Sequence, residues 1–419
     1  MSRLLLVAYS FPPDPVPGAL RPGYIAQYLP QFGWEVTVLT HSSGEPPFPA
    51  HVVRVGARAS SSAASPARKR PRDTTMRAIL RAIRNAVIFP DEMAPWILPA
   101  IARGLRVLRS ERFDAILTTA LPTSAHVVGA CLSALTRTPW IADYRDAWSG
   151  NPYMPWGPVK RRLQRAAENA AVGRAAQLTT VSEPIAEHLR SLHQKPVSVI
   201  ENAYDTAEWE AIPDAAPQGF DLVYTGTMYA GKRSAEPLFA AVARLRSEGH
   251  PLADAVRVHF YGHNNEQVID EAALHGVADC VRLHGVVPRV EAMRAQRKAA
   301  GLLIFLNMDA ATAGERGSKY LEYIGARRAM LVFGPPASVM RETVERGGLG
   351  WFASDAAGAK SALQALYERY SAGLYELRSD ASFVPSSIDL ARMFAACLDR
   401  AVRDPRSPAR RAQKEAAVS

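Results

Sequence analysis

Lys232 is one of only eight lysines in the chain, and the residues around it suit a diphosphate. Leu222-Val223-Tyr224-Thr225-Gly226-Thr227-Met228-Tyr229-Ala230-Gly231-Lys232-Arg233-Ser234 reads as a strand, a glycine-containing loop, two adjacent cations and a helix start. Glycines such as Gly226 admit a ligand close to the backbone, helix amides donate to it, and Lys232 and Arg233 neutralise its charge. Ala313-Gly314-Glu315-Arg316-Gly317-Ser318-Lys319-Tyr320-Leu321-Glu322-Tyr323 repeats that logic. There Gly317-Ser318 reads as a helix N-terminus aimed at a phosphate, with Lys319 beside it. One turn in, Glu322 would present a carboxylate to neighbouring sugar hydroxyls; the alternative is a surface helical glutamate.

The first half holds a second set of candidates. Ser10-Phe11-Pro12-Pro13-Asp14-Pro15-Val16-Pro17-Gly18-Ala19-Leu20-Arg21 follows the first strand, at the end where open parallel sheets bind ligands. Gly18 would let backbone approach a ligand and Arg21 adds charge, whereas a rigid turn needs neither. The loop is not a Gly-x-Gly-x-x-Gly fingerprint, which disfavours ordinary dinucleotide binding. In Pro139-Trp140-Ile141-Ala142-Asp143-Tyr144-Arg145-Asp146-Ala147-Trp148, alternation puts Asp143 and Arg145 on one side and Asp146 at the tip. A general base or a hydroxyl-binding carboxylate belongs at such a tip. An Asp–Arg ion pair that merely organises the loop is the competing reading. His126 falls in the first turn of a helix after another strand, near the same end, or is a satisfied structural histidine. The sequence is read as offering neither His-x-x-x-His nor Cys-x-x-Cys, so no metal site is expected, and Gly-x-Ser-x-Gly and the phosphate-loop lysine pattern are absent as well.

Short β-branched and apolar runs alternate with helical patterns throughout, the signature of parallel α/β units. Leu4–Tyr9, Glu35–Leu39, His51–Val55, Asp114–Thr119, Trp140–Tyr144, Leu178–Val181 and Val197–Ile200 read as strands of a first sheet. Leu222–Thr225, Val256–Tyr261, Val281–Leu283, Leu302–Leu306 and Met330–Phe333 read as a second. The fold class is therefore α/β, with two tandem Rossmann-like doubly wound domains. An N-terminal domain spans 1–205, a Pro-, Ala- and acid-rich linker 206–219, and a C-terminal domain 220–386. Residues 387–403 read as a last helix and 404–419 as a disordered basic tail. Length agrees, since 419 residues correspond to two or three domains.

The formal net charge of +10 lies wholly in the first half: residues 1–190 hold 23 Lys and Arg against 13 Asp and Glu. Part of that charge sits in a basic insertion, 56–88. Within it Met76–Val87 projects as a helix with Arg77, Arg81 and Arg84 opposite Met76, Ile79, Leu80, Ile83 and Val87. Such a helix suits an anionic membrane surface, or packs its apolar side on the first sheet. Phe, Tyr and Trp are absent from 54–84, so base stacking is not provided for and nucleic acid is disfavoured. Three scattered cysteines and no long apolar run point to a reducing cytoplasm, with the inner membrane face as the surface for the basic segment.

Taken in order, these pieces resemble glycosyltransferase family 4 of the two-domain GT-B fold. The resemblance is carried by the loop at 12–21, Trp34–Thr40, Asp143–Trp148, Thr179–Ser182, Asn202–Asp205, Gly226 to Lys232, Tyr261-Gly262, His284–Pro288 and Ser318–Tyr323. It implies two domains facing across a cleft, with the last helix returning to the first domain. It implies a nucleotide-sugar donor, a saccharide or lipid-linked acceptor of cell-envelope or polysaccharide type, and hexosyl transfer that is retaining and free of an obligatory metal or cofactor. Gly226, Lys232, Arg233, Ser318, Lys319 and Glu322 would then bind the donor. Gly18, Arg21, Asp143 and Arg145 would line the acceptor side, with His126 and Asp146 as the catalytic candidates. Three departures stand out: Gly314 lies eight before Glu322 where a glutamate is common, Ala203 replaces a glycine, and Arg233 follows Lys232 in place of a glycine. A sugar-nucleotide epimerase of the same architecture, or a binding module with a degenerate donor site, are the alternatives.

Overall fold

The structure, a computed structural model, describes residues 1–14, 16–56, 89–151, 154, 156–229, 231–308, 319–377 and 384–403. The basic segment over 57–88, its expected helix and the tail over 404–419 lie outside these residues. The chain divides into two compact units, Met1–Ala203 joined by the segment from Ser387, and Tyr204–Ser386.

Seven parallel strands build the first unit: β1 (Ser2–Val7), β2 (Trp34–Thr40), β3 (His51–Arg54), β4 (Ala115–Ala120), β5 (Trp140–Tyr144), β6 (Gln177–Thr180) and β7 (Val197–Val199). Their order is β3-β2-β1-β4-β5-β6-β7. Strand periodicity sends Leu4 and Leu6 into one core with Ile25 and Ile141. Leu5 and Val7 enter another with Val128 and Trp140. Both faces are thus covered, which is why these strands read as nearly unbroken apolar runs.

The helix Ser387–Arg403 completes the first of those cores. Leu390, Phe394 and Leu398 are buried with Leu4 and Ile25, and Trp34 Nε1 donates to Asp399 Oδ1 at 3.1 Å. Ser387–Arg403 is therefore structural material of the unit that contains β1.

In the second unit six parallel strands run β8 (Phe220–Thr225), β9 (Val256–Tyr261), β10 (Val281–Gly285), β11 (Gly301–Phe305), β12 (Met330–Phe333) and β13 (Gly350–Ala353). Their order is β10-β9-β8-β11-β12-β13. The edge strand β13 is absent from the sequence reading, because four residues opening in Gly347-Gly348-Leu349-Gly350 look like a turn.

The expected linker over 206–219 is largely part of this second unit. Asp205 accepts from Ala207 N at 3.1 Å and caps a short helix, Thr206–Glu210. Trp209 and Ile212 are buried beside Tyr323 and Ile324. Arg297 and Arg328 then hold Asp214 and the Ala215 carbonyl, each at 2.6 Å. Two apolar anchors inside a Pro- and acid-rich stretch thus override its linker-like composition. Among the described residues, no helix is long and apolar enough to cross a membrane.

Candidate functional site

Strand β8 ends at Thr225, and Gly226 turns the chain with φ at 143°, a conformation that side chains rarely adopt. Lys319, the first residue of the helix Lys319–Ala326, lays its side chain across this turn. Its Nζ donates to the Thr225 carbonyl and lies 5.0 Å from the centre of the Tyr224 ring. A Cβ at residue 226 would take the space of that ammonium group. Burial lowers the Lys319 pKa from 10.5 to about 8; the charge of Glu322 opposes this and that of Arg233 adds to it.

Arg233 Nη1 donates to Tyr224 Oη at 3.2 Å and to the Thr227 carbonyl at 3.0 Å, while its guanidinium lies over Tyr229. Lys232, in the same loop, is exposed. Asn265 fixes the turn from the other side, donating to the Gly226 carbonyl and accepting from Met228 N, both at 3.0 Å. Glu322 Oε1 accepts from Gln296 Nε2 at 2.9 Å and faces Arg289 Nη1 at 3.6 Å. Gln296 also donates to Thr225 Oγ1 at 2.9 Å, so one amide ties the end of β8 to the carboxylate. The structure thus brings Gly226, Arg233, Lys319 and Glu322 to the C-terminal end of β8. Ser318 lies outside the described residues. Asn265, Arg289 and Gln296 escaped sequence reasoning, since lone polar residues far from the glycine loop carry no local signal.

In the first unit the acceptor-side candidates are engaged with one another. Arg21 is 3% exposed and Asp143 wholly buried, and they form a pair with Nη2–Oδ1 at 2.8 Å. Thr119 and Thr179 also donate to Asp143, at 3.0 and 2.8 Å. Burial resists its ionisation, yet Arg21 and the two threonines hold its pKa below the ordinary carboxylate value. Arg21 further donates to the carbonyls of Ile200 and Glu201, and Phe394 lies 5.0 Å from its guanidinium carbon. The pair ties the ends of three strands to two helices, where the sequence suggested ligand contact. Asp143 pairs with Arg21 rather than with Arg145. Arg145 instead donates to the carbonyls of Ala120, Gly18 and Leu121, clamping the end of β4 to the first turn of the helix Pro17–Tyr28. What approaches Gly18 closely is Arg145, whose Nη1 would stand 2.9 Å from a Cβ there.

His126 falls in the first turn of the helix Ser124–Thr136 after β4, as expected, but it is wholly buried rather than open to a ligand. Its Nδ1 lies 2.7 Å from Thr118 Oγ1, and the rings of Trp140, Tyr144 and Trp148 surround it. Burial lowers its pKa to about 4, although Asp143 and Glu168 pull it upward. It is a neutral core residue, because a first-turn helix position faces the sheet here rather than solvent. Asp146 is exposed beyond β5, where partial desolvation raises its pKa against the pull of Arg145. A His-x-x-x-His spacing, His259 to His263, does occur, contrary to the sequence reading; it falls at the end of β9, where His259 Nδ1 meets His284 Nε2 at 2.9 Å. Among the described residues no group of three or more His, Cys, Asp or Glu could hold a metal ion.

The β8 cluster offers a turn without a side chain, a desolvated ammonium, a braced guanidinium and a pinned carboxylate, a set able to hold an anion next to hydroxyls. Residues 23–208 match the sequence model of Glycosyltransferase Family 4. The Anabaena protein Alr3699/HepE, solved in complex with UDP, superposes with a TM-score of 0.59 at 14% identity, covering 95% of this chain and 100% of that one. Sucrose-phosphate synthase from Thermosynechococcus elongatus gives 0.56 at 13% identity and covers 100% of both. WaaG, a glycosyltransferase involved in lipopolysaccharide biosynthesis, gives 0.56 at 13% identity, covering 94% of this chain and 99% of that one. No curated protein matches in sequence. Fold and family match define the class: a glycosyltransferase of the two-domain GT-B architecture. Within its N-terminal unit, residues 23 onward are similar to glycosyltransferase family 4.

Proposed function

We propose that the second unit binds a nucleotide-sugar donor and that the hexosyl group passes, with retention and without an obligatory metal, to a saccharide or lipid-linked acceptor of cell-envelope or polysaccharide type held by the first. The observation that carries this reading is the placement of Lys319 at Gly226. A desolvated ammonium gains most from an anion, and the turn beside it has no side chain to keep a diphosphate away. As the sugar–phosphate bond breaks, negative charge builds on the departing nucleoside diphosphate. Lys319, with Lys232 and Arg233, stabilises that charge from fixed positions. Glu322, held by Gln296, accepts hydrogen bonds from sugar hydroxyls of the donor. The UDP bound by the Anabaena protein supports a nucleoside diphosphate as the leaving group. On the acceptor side Asp146 is the exposed carboxylate available to a hydroxyl, whereas buried His126 takes no part.

A thermal-shift titration with UDP, GDP, ADP and CDP, without metal, tests the donor site on wild type and Glu322→Ala. Binding at a hundred times the dissociation constant adds about 2.7 kcal/mol, a readable shift. One nucleotide should stabilise the wild type and not the variant. No response to any nucleotide would replace this reading with a binding module. Isomerised sugar nucleotide in the absence of acceptor would replace it with an epimerase.

A further inference from the structure

Three helices cover one side of the first sheet: Ile97–Ser110, Ser124–Thr136 and Pro158–Val172. Their inner faces join one core through Ala100, Val128, Leu132 and Val172. Gly104 of the first packs against Leu132 of the second. The three sequences hold seven bases and a single acid, Glu168. That carboxylate is buried and accepts from Tyr144 Oη at 3.1 Å and Ser149 N at 3.0 Å, so none of the three helices shows an acid to solvent. Arg103, Arg106 and Arg109 recur one turn apart on the exposed side, and Arg162 and Arg165 do the same on the third helix. Aliphatic side chains protrude among them: Leu98 is 76%, Leu135 61%, Val159 69% and Leu163 57% exposed.

We propose that this three-helix face docks on an anionic lipid bilayer. Positive charge alone would recruit any polyanion, so the choice rests on what accompanies it. Val159 and Leu163 stand one turn apart with Arg162 between them, an arrangement that buries aliphatic groups at the acyl boundary while guanidinium groups stay with the headgroups. The three helices contain no Phe, Tyr or Trp, so they provide nothing for bases to stack on, and nucleic acid fits poorly. The next helix on this side, Glu183–His193, exposes Glu183 and Glu187 and ends the patch. The proposal is independent of the donor-site reading.

Co-sedimentation of the full chain with vesicles of phosphatidylcholine, alone or mixed with phosphatidylglycerol, tests it. The chain should bind only the mixed vesicles. Each basic residue at an anionic surface contributes about fivefold in affinity. Joint replacement Arg103→Glu, Arg106→Glu, Arg162→Glu and Arg165→Glu should therefore weaken binding by more than about tenfold, with the melting temperature unchanged. Val159→Ser with Leu163→Ser should lose the part of binding that survives high salt, where charge is screened. A chain lacking 58–88 should still bind. Unchanged binding by both substituted proteins, complete loss on deleting 58–88, equal binding to phosphatidylcholine alone, or tighter binding to RNA that the same charge reversals abolish would each overturn the proposal.

Discussion

Arg21 and Asp143 stand 122 positions apart in the chain and meet in a bidentate pair, with Nε and Nη2 donating to the two carboxylate oxygens at 2.9 and 2.8 Å. Both side chains are buried, and Arg21 is what keeps Asp143 ionised there against the cost of burial. Asp143→Ala would strand a buried guanidinium, and removing one partner of such a pair costs about 3–5 kcal/mol. The expected outcome is a large drop in the unfolding midpoint of the first unit, read by urea titration. Arg21→Lys should not keep full stability, because an ammonium cannot reproduce the fork.

His126 makes the first unit sensitive to acid. Its pKa is near 4 when folded and ordinarily 6.5, so between those values the unfolded chain binds more protons and stability falls as pH falls. The full effect is on the order of 3 kcal/mol, fully developed below about pH 4. His126→Gln should show a shallower loss of melting temperature from pH 7 to pH 4, measured against wild type in one buffer series.

Lys319 works in the opposite pH range. With a folded pKa of about 8, it loses its charge in the absence of ligand as pH rises through that value. Nucleoside diphosphate affinity should therefore be steady from pH 6.5 to 7.5 and fall by up to tenfold for each pH unit above about 8. Calorimetric titration across pH 7 to 9.5 reads this directly. Lys319→Arg should flatten the profile, since a guanidinium remains charged throughout.

Gly226→Ala tests the turn itself. The added methyl group would meet the Lys319 ammonium and impose strain at φ 143°. Nucleotide affinity should fall by more than about tenfold while the melting temperature drops only modestly, because strain at one such residue costs on the order of 1–3 kcal/mol. Paired thermal unfolding and calorimetry separate the two effects.

The sheets were legible because parallel strands buried on both faces must be apolar along their length; among the described residues, twelve of the thirteen strands have sequence counterparts. The exception, β13, is a short edge strand whose opening glycine carries turn chemistry. The β8 cluster was legible in part, because glycine loops and helix starts are local patterns and Gly226, Lys319 and Glu322 fall within them. Roles in the first unit were not. Whether Asp143 meets Arg145 two residues away or Arg21 across the unit depends on which strand ends adjoin, and alternation along one strand cannot report that. His126 shows the same limit: helical position was readable, but which side of the helix met the sheet was not. Trp209 shows that composition describes a segment's average, whereas one large apolar side chain decides where the segment packs.

Because Leu390, Phe394 and Leu398 of the last helix share a core with Leu4 and Ile25, the two units cannot mature in the order in which they are synthesised. Tyr204–Ser386 is continuous and has every residue it needs once Ser386 is clear of the ribosome. The first unit, although begun earlier, must wait with an apolar side of its sheet uncovered until Ser387–Arg403 arrives, so it closes only after the second unit has been synthesised.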